Sequence, residues 1–348
     1  MKRGIEGGVC RVAVVLGVLL GVSAVASGAP DSRQFAWPTP LPVKAGTAWE
    51  DFVQASASGN PATGLFGTAR NGGGKFHEGL DIRAVARDRR GEATDAVCAV
   101  LGGVVAHVAP VSNGAYGRHV VVWHTEAGLR FYTLYAHLST VAPGLKPGVV
   151  VNAGSVLGVM GRSDGARGFP KERAHLHFEI GLRLAGTFER WYARQREFTV
   201  PNRQGSWNGL NLVGLDPLPF LREGLSTRRA PALLSHVRRE RVAVVAHVAT
   251  RQIPAFVREN PALLAAPLPG VVEGWKIEFA WHGMPVRWTP LEVAPGGGTG
   301  MRSLRLGVVD DKGLQRQARA RGLLVQRRNG SLVAGTTLIN ALAILFDW

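Results

Sequence analysis

The sequence predicts a mainly β, antiparallel central unit followed by a smaller α+β unit toward the C-terminal end. Between residues 64 and 183, short runs rich in valine and aromatic residues are bounded by glycine, which is typical of strands separated by turns. This range contains no long run with the hydrophobic period of an amphipathic helix. After residue 224, strand-like and helix-like runs both occur, which favours a mixed second unit.

The individual elements follow from the same patterns. In the central unit, the predicted strands cover residues 95–108, 119–123, 129–138, 149–151 and 156–160. In the C-terminal unit, we expect a strand at 241–250, a short helix at 254–265, a hairpin at 275–288 and a buried helix at 337–346. Asn329-Gly330 is a strong two-residue turn signal between the apolar runs 323–325 and 332–334.

The N-terminal stretch has the layout of a secretory signal peptide. Lys2, Arg3 and Arg11 precede an apolar run at 12–26, and Ala24-Val25-Ala26 is a suitable cleavage site before Ser27. The run is shorter than the about 20 apolar residues that a membrane span needs. We therefore expect a signal peptide at 1–26, no stable transmembrane span after its removal, and export to the periplasm, the cell wall or the medium.

Composition and charge narrow the class of partner. The chain has 348 residues, 46% of them hydrophobic and 19% charged, which indicates a globular protein. Its formal net charge of +16 favours an anionic partner: nucleic acid, an acidic membrane surface or an acidic wall polymer. Export makes nucleic acid an unexpected partner.

After signal removal only Cys98 remains, so no intramolecular disulfide can form, and we expect Cys98 to be a buried small side chain.

A short run at 174–180 carries the strongest chemical signal. In a strand, alternate residues project to the same face, so His175, His177 and Glu179 share one side, and the apolar residues between them are expected in the core. Two neighbouring imidazoles can divide metal binding and proton transfer between them. By itself, the run could equally be an ordinary amphipathic strand with surface histidines.

An upstream motif supplies further candidate ligands. His77 and Asp81 are four positions apart in His77-Glu78-Gly79-Leu80-Asp81. Alone, such a pair more often forms a local hydrogen bond. Together with a His-x-His strand it could complete a catalytic zinc site, in which three protein ligands of nitrogen and oxygen type leave one position open.

A third histidine lies on the predicted strand 129–138. Simple alternation places Thr133, Tyr135 and His137 on one face. A single histidine on a strand is usually structural, which is our interpretation of the remaining ones: His107, His119, His124, His236, His247 and His282.

In order along the chain, His-x-Gly-x-Asp, Tyr-Ala-His-Leu and His-Leu-His-Phe resemble the lysostaphin-type (LytM-like) zinc metallopeptidases. The resemblance covers roughly residues 64–183. It implies a LytM-like fold of the duplicated-hybrid-motif type, one Zn²⁺ per chain, and cleavage of peptide cross-links in bacterial peptidoglycan. Carried over by motif, the resemblance implies that His77, Asp81 and His177 bind zinc. It implies that His175 activates water, and that His137 steadies the oxyanion or shares the proton transfer.

The resemblance leaves several points open. The loops 83–94 and 161–173 are longer than is usual in the family, and we expect both to wall the cleft. Tyr116 and Tyr135 could contact substrate or pack in the core.

We divide the chain into a lead-in at 27–62, a catalytic domain at 63–185, an extension at 186–223 and an α+β domain of unknown role at 224–348. Two other functions stay possible: a non-catalytic regulator of wall hydrolases, and a wall-binding protein.

Overall fold

The central part of the chain forms one large antiparallel sheet. The computed structural model describes residues 33–70, 75–165, 168–296 and 298–348, so the predicted signal peptide at 1–26 lies outside the described residues. The strands of this part are β1 (Ala69–Arg70), β2 (Lys75–Phe76), β3 (Leu80–Arg83), β4 (Ala96–Cys98), β5 (Gly103–Ala109), β6 (Arg118–Glu126), β7 (Leu129–Val141), β8 (Val150–Val151), β9 (Val156–Met160), β10 (His175–Arg183) and β11 (Leu212–Leu215). The mainly β, antiparallel prediction is confirmed.

The strand that bears the His-x-His motif lies inside this sheet. The strand order is β11-β10-β7-β6-β5-β8, with β3 also paired to β10 and β9 paired to β7 and β4, while β1 and β2 form a separate hairpin. Strand β10 therefore has neighbours on both sides, which fixes its register. Leu176, Phe178 and Ile180 are fully buried on one face, as predicted. The other face is also covered, because His175, His177 and Glu179 are each at most 9% exposed.

Two details of the sheet differ from the sequence-based expectation. The single strand predicted at 95–108 is two strands, because β4 pairs with β9 whereas β5 pairs with β6 and β8. Cys98, at the end of β4, is half-buried rather than fully buried.

Strand β7 contains a bulge that turns His137 away from the expected face. Tyr135 pairs with Phe178 and lies in the apolar core, whereas Ala136 pairs with His177. His137 has a φ of +63°, a left-handed conformation that side chains other than glycine rarely adopt. The prediction that Thr133, Tyr135 and His137 share one face is therefore wrong for His137, because the bulge interrupts the alternation.

The segment before the sheet packs along β3. Val53 forms a bridge with Ile82, the backbone N–H of Gln54 donates to the Asp81 carbonyl at 2.8 Å, and the N–H of Arg83 donates to the Phe52 carbonyl at 2.9 Å. These contacts hold the strand that carries Asp81 from the side opposite to β10.

The C-terminal part combines helices with a second antiparallel sheet in the order β14-β13-β12-β15. Its elements are α1 (Phe188–Arg194), α2 (Pro217–Thr227), α3 (Leu233–Arg239), β12 (Val242–Ala249), α4 (Ala255–Glu259), β13 (Gly274–Ala280), β14 (Pro285–Leu291), β15 (Arg305–Val308), α5 (Lys312–Ala320), β16 (Leu324–Gln326), β17 (Leu332–Ala334) and α6 (Thr336–Phe346). The helix predicted at 254–265 is shorter, since α4 ends before Pro261 and only a 3₁₀ turn, Pro261–Leu263, follows.

The two parts share one apolar core. A single cluster of buried side chains includes residues from Leu41 in the lead-in to Phe346 in α6. At the junction, the Trp281 ring lies 5.8 Å from the Phe76 ring and 6.1 Å from the Phe66 ring, measured between centroids. Among the helices that the structure describes, none has the length and apolarity that a membrane crossing requires.

Candidate metal centre

Three side chains converge beside the middle of β10. His77 Nε2 lies 3.0 Å from Asp81 Oδ1 and 3.1 Å from His177 Nδ1, and His177 Nδ1 lies 2.9 Å from the same Asp81 oxygen. The three atoms form a compact set of two nitrogens and one oxygen, all from buried residues, that could hold a metal ion. The structure thus brings together the three predicted ligands, which come from sequence positions as much as 100 residues apart.

The backbone explains this convergence. Asp81 on β3 pairs directly with His177 on β10, so their side chains share one face. His77 precedes β3, and its backbone N–H donates to the Thr68 carbonyl at 3.0 Å. A Cβ atom at Gly79 would lie 2.5 Å from the Phe178 carbonyl oxygen and 2.9 Å from a carbon of the His177 ring. Only glycine therefore fits the middle of the His-x-Gly-x-Asp motif.

The outward nitrogen of each ligand histidine is held by an acceptor. His77 Nδ1 lies 2.8 Å from the Leu65 carbonyl oxygen, and His177 Nε2 lies 2.9 Å from Glu179 Oε1. The hydroxyl of Tyr132 donates to the other oxygen of Glu179 at 2.9 Å. Because each outward N–H is used in this way, the lone pair of the other ring nitrogen points toward the cluster, which is the arrangement of metal-binding histidines.

Arg70 holds the second oxygen of Asp81. Its Nη2 donates to Asp81 Oδ2 at 2.7 Å, and its Nε donates to the Thr63 carbonyl at 2.7 Å. The guanidinium thereby leaves only Asp81 Oδ1 facing the two histidines. Neither Arg70 nor Glu179 was assigned a role from the sequence, since a single arginine or glutamate carries no motif.

The two remaining histidines of the predicted site lie beside the cluster, and each forms a hydrogen bond with a backbone carbonyl through Nδ1. His175 Nδ1 lies 2.7 Å from the Arg173 carbonyl oxygen, and His137 Nδ1 lies 2.8 Å from the Ser163 carbonyl oxygen. A carbonyl can only accept, so both Nδ1 atoms carry the proton when the rings are neutral. Each Nε2 then has a free lone pair. The centroids of the two rings are 4.8 Å apart.

Burial sets the direction of the pKa shift of His175 and His137, whereas charges and hydrogen bonds outweigh burial at Asp81. Burial lowers the pKa of His175, and together with the neighbouring charges of His175 and His177 it holds the pKa of His137 well below its usual value. Burial alone would raise the pKa of Asp81, but the charges of His77 and His175 and the hydrogen bonds from the ligand histidines hold it well below the usual range. His137 and His175 are therefore neutral bases near pH 7.

The pKa of His177 shifts in the opposite direction. Burial would lower its pKa, but hydrogen bonds to Asp81 and Glu179 outweigh burial and raise the pKa to about 9. The imidazole is thus placed between two carboxylates, which stabilise positive charge at this position.

One of the two long loops walls the cleft. Asp164, Phe169 and Arg173, from the loop 161–173, line a cavity of about 370 Å³ that also contacts His137 and His175. The Phe169 ring stacks on His175, with centroids 5.0 Å apart. The loop 83–94 contacts the loop 161–173 through an ion pair between Glu92 and Arg162, and none of its residues lines this cavity. The expectation that both loops wall the cleft is therefore met by the loop 161–173 alone among the described residues.

A second cavity of about 510 Å³ also borders the cluster. Tyr116, which is 7% exposed, lines it with its ring 5.9 Å from the His177 ring. Tyr135 is fully buried on the far face of the sheet, where the Val100 N–H donates to its hydroxyl oxygen. The histidines interpreted as structural from the sequence all lie outside the three-residue cluster.

Comparison with known proteins identifies similar sequences over the part of the chain that forms this site. Residues 75–187 match the profile of Peptidase family M23. No curated protein matches the chain. Among solved structures, a mutant catalytic domain of the prophage-encoded M23 protein EnpA from Enterococcus faecalis is 26% identical, with 37% of this chain and 79% of that chain covered and a TM-score of 0.27.

Two further structures show the same level of similarity. The catalytic domain of the antimicrobial peptidase lysostaphin from Staphylococcus simulans is 18% identical, covering 50% of this chain and 95% of that chain, with a TM-score of 0.31. A zinc-containing peptidase from Vibrio cholerae is 21% identical, covering 43% of this chain and only 37% of that chain, with a TM-score of 0.28. Because these TM-scores are low, any family assignment rests on the sequence match of residues 75–187.

Proposed function

Residues 75–187 of this chain form a domain of peptidase family M23, and on that basis we propose that the protein is an exported zinc metalloendopeptidase that hydrolyses peptide cross-links of bacterial peptidoglycan. The observation that carries the proposal is the convergence of His77 Nε2, Asp81 Oδ1 and His177 Nδ1, with two further histidines beside them.

The donor set fits zinc. Two imidazole nitrogens and one carboxylate oxygen are a ligand set of catalytic zinc sites, which keep a fourth position open. The outward nitrogens of His77 and His177 are both hydrogen-bonded, as this role requires. When bound, the zinc ion supplies Lewis acidity, which polarises the scissile carbonyl and makes water reactive near neutral pH.

The chain's own residues supply the proton transfers and the positioning. His175 Nε2, which has a free lone pair 3.5 Å from Asp81 Oδ1, is placed to take a proton from the attacking water and to pass it to the leaving amine. His137 Nε2 is placed to share this proton transfer or, when protonated, to donate a hydrogen bond to the developing oxyanion. Phe169, stacked on His175, shields one face of that imidazole from water.

The substrate and the location follow from the family resemblance and from composition. Exported M23-like enzymes act on the wall, and the charge of +16 suits an anionic polymer. We therefore propose that the signal peptide at 1–26 directs the chain out of the cytoplasm and that peptidoglycan is the substrate.

The decisive test combines metal content with cleavage of the wall. The purified chain should hold about one zinc ion per molecule. Incubated with purified sacculi, it should release fragments whose new peptide termini can be identified by mass spectrometry, and His175→Ala should not. Intact sacculi in the presence of zinc-loaded protein would favour the regulator. Binding to sacculi without zinc uptake would favour a wall-binding protein.

A further inference from the structure

The cavity of about 510 Å³ beside the metal centre is bounded by two different parts of the chain. One wall carries His77, His137 and His177. The opposite wall comes from outside the M23 match, from Gln204 in the extension and from Thr336 and Asn340 in the first turns of α6. The volume falls within the range of about 300–1,000 Å³ that is typical of small-ligand pockets.

Contacts of Arg321 connect this opposite wall to the metal centre. Arg321, at the end of α5, donates from Nη2 to Glu78 Oε1 at 2.7 Å, next to the candidate ligand His77. Its guanidinium also lies 4.4 Å from the centroid of the Phe76 ring. The Thr337 hydroxyl in turn donates to the Arg321 carbonyl at 2.9 Å, so the start of α6 is positioned by the same residue.

Several polar side chains on this wall have no hydrogen-bond partner among the residues that the structure describes. The side-chain amides of Gln204 and Asn340 and the hydroxyl of Thr336 form no hydrogen bond with any described residue. Gln204 and Asn340 are half-buried and line the same cavity as His77, His137 and His177. A side-chain amide offers a donor and an acceptor side by side, as a peptide group does, so the two are complementary.

We propose that Asn340 and Gln204 bind the backbone of the cross-link peptide on one side of the scissile bond. The C-terminal part of the chain is then a wall of the substrate site, and it contributes to selecting the cross-link. This inference rests on the proposed function, because it names a subsite for the same substrate. It extends that function to residues outside the M23 match at 75–187.

The test compares neighbouring positions on one helix. Asn340→Ala removes the amide, whereas Ile339→Ala changes a residue of the same turn that is 39% exposed and does not line the cavity. Binding of soluble muropeptide dimers with direct and with glycine-bridged cross-links is measured by calorimetry, together with kcat, KM and zinc content. For the dimer that is bound, Asn340→Ala and Gln204→Ala should each raise Kd and KM about 3- to 10-fold. The kcat and zinc content should stay unchanged, and Ile339→Ala should match the parent.

The outcomes separate this inference from the proposed function. If the parent cleaves a dimer and the Asn340→Ala and Gln204→Ala variants keep its Kd and KM, the subsite is wrong and the peptidase stands. If the parent binds without cleaving and both variants bind more weakly, the subsite stands and the activity is wrong. A parent that neither binds nor cleaves any dimer overturns both. Should Asn340→Ala fail to fold, Asn340→Asp keeps the shape, removes the donor and must show the same weakening.

Discussion

Glu179 Oε1 accepts a hydrogen bond from His177 Nε2 at 2.9 Å, although the two residues are only two positions apart on one strand. Alternation places both side chains on the same face, and the Tyr132 hydroxyl holds the other carboxylate oxygen. Glu179 is 1% exposed, so water does not compete for this bond. The consequence is that His177 presents Nδ1, rather than Nε2, to Asp81 and His77.

Glu179 should therefore determine how well the site holds zinc. Glu179→Gln keeps the size of the side chain but removes the charge that orients His177 and increases its basicity. We expect zinc affinity to fall about 10- to 100-fold, measured by competition with a chromophoric chelator. Glu189→Gln, at an exposed position on α1, is the matched control and should bind zinc like the parent. Unchanged affinity in Glu179→Gln would mean that its hydrogen bond is only structural.

The candidate ligands should be necessary for metal binding. His77→Ala, Asp81→Ala and His177→Ala each remove one of three converging atoms, so each should strongly reduce bound zinc, measured by mass spectrometry of the metal, and abolish hydrolysis. His247→Ala, a half-buried histidine on β12, should keep the parental zinc content. Full zinc occupancy in His177→Ala would refute the assignment.

His175 and His137 should be needed for turnover but not for metal. Neither side chain belongs to the cluster of His77, Asp81 and His177, so neither is required to complete it. His175→Ala and His137→Ala should retain zinc and lose about 10²–10⁴-fold in kcat, which is the usual contribution of a positioned acid or base. A parental kcat in either variant would show that the residue takes no part in proton transfer.

The junction between the two parts of the chain predicts a stability effect at a glycine. Gly67 has a φ of +80°, and a Cβ atom there would lie 2.5 Å from Cη2 of Trp281. Gly67→Ala should lower the free energy of unfolding by about 1–3 kcal/mol, measured by denaturant titration. Gly46→Ala is the control, because nothing lies within 4 Å of the added atom and its φ is not positive. Equal stability of the two variants would show that Trp281 moves away without cost.

The basic composition predicts binding to the wall that depends on salt. With a net charge of +16, association with purified sacculi should weaken as the ionic strength rises to physiological levels, where the Debye length is about 8 Å. Sedimentation of the protein with sacculi across a salt series measures this. Binding that stays constant with salt would instead indicate recognition by hydrogen bonds or aromatic contacts.

Much of the sheet and the ligand cluster could be predicted from the sequence because both depend on local patterns. Alternation along 174–180 predicts the shared face of His175, His177 and Glu179, and the spacing of His77 and Asp81 predicts that they act together. Strand β9 begins and ends as the glycine-bounded valine run predicts.

The remaining features depend on contacts between distant residues, which patterns do not show. The bulge at His137 is seen only in the register of β7 against its neighbours β6 and β9, so alternation alone assigns this residue to the wrong face. Helix α3 has only seven residues and is stabilised by its packing in the core. In α2, by contrast, Phe220, Leu221 and Leu225 repeat at helical spacing, so this helix could have been predicted from the sequence. Arg70 was missed because its role exists only through the fold, which brings it to Asp81.

The pair Arg321–Glu78 has a consequence for the order in which the protein matures. It joins positions 243 residues apart, whereas Asp81 and His177 are separated by 96. Contacts between distant residues close large loops and form slowly. We therefore expect the three metal ligands to come together before Arg321 reaches Glu78. The cavity beside the metal centre is then complete only once the C-terminal part is docked through Arg321.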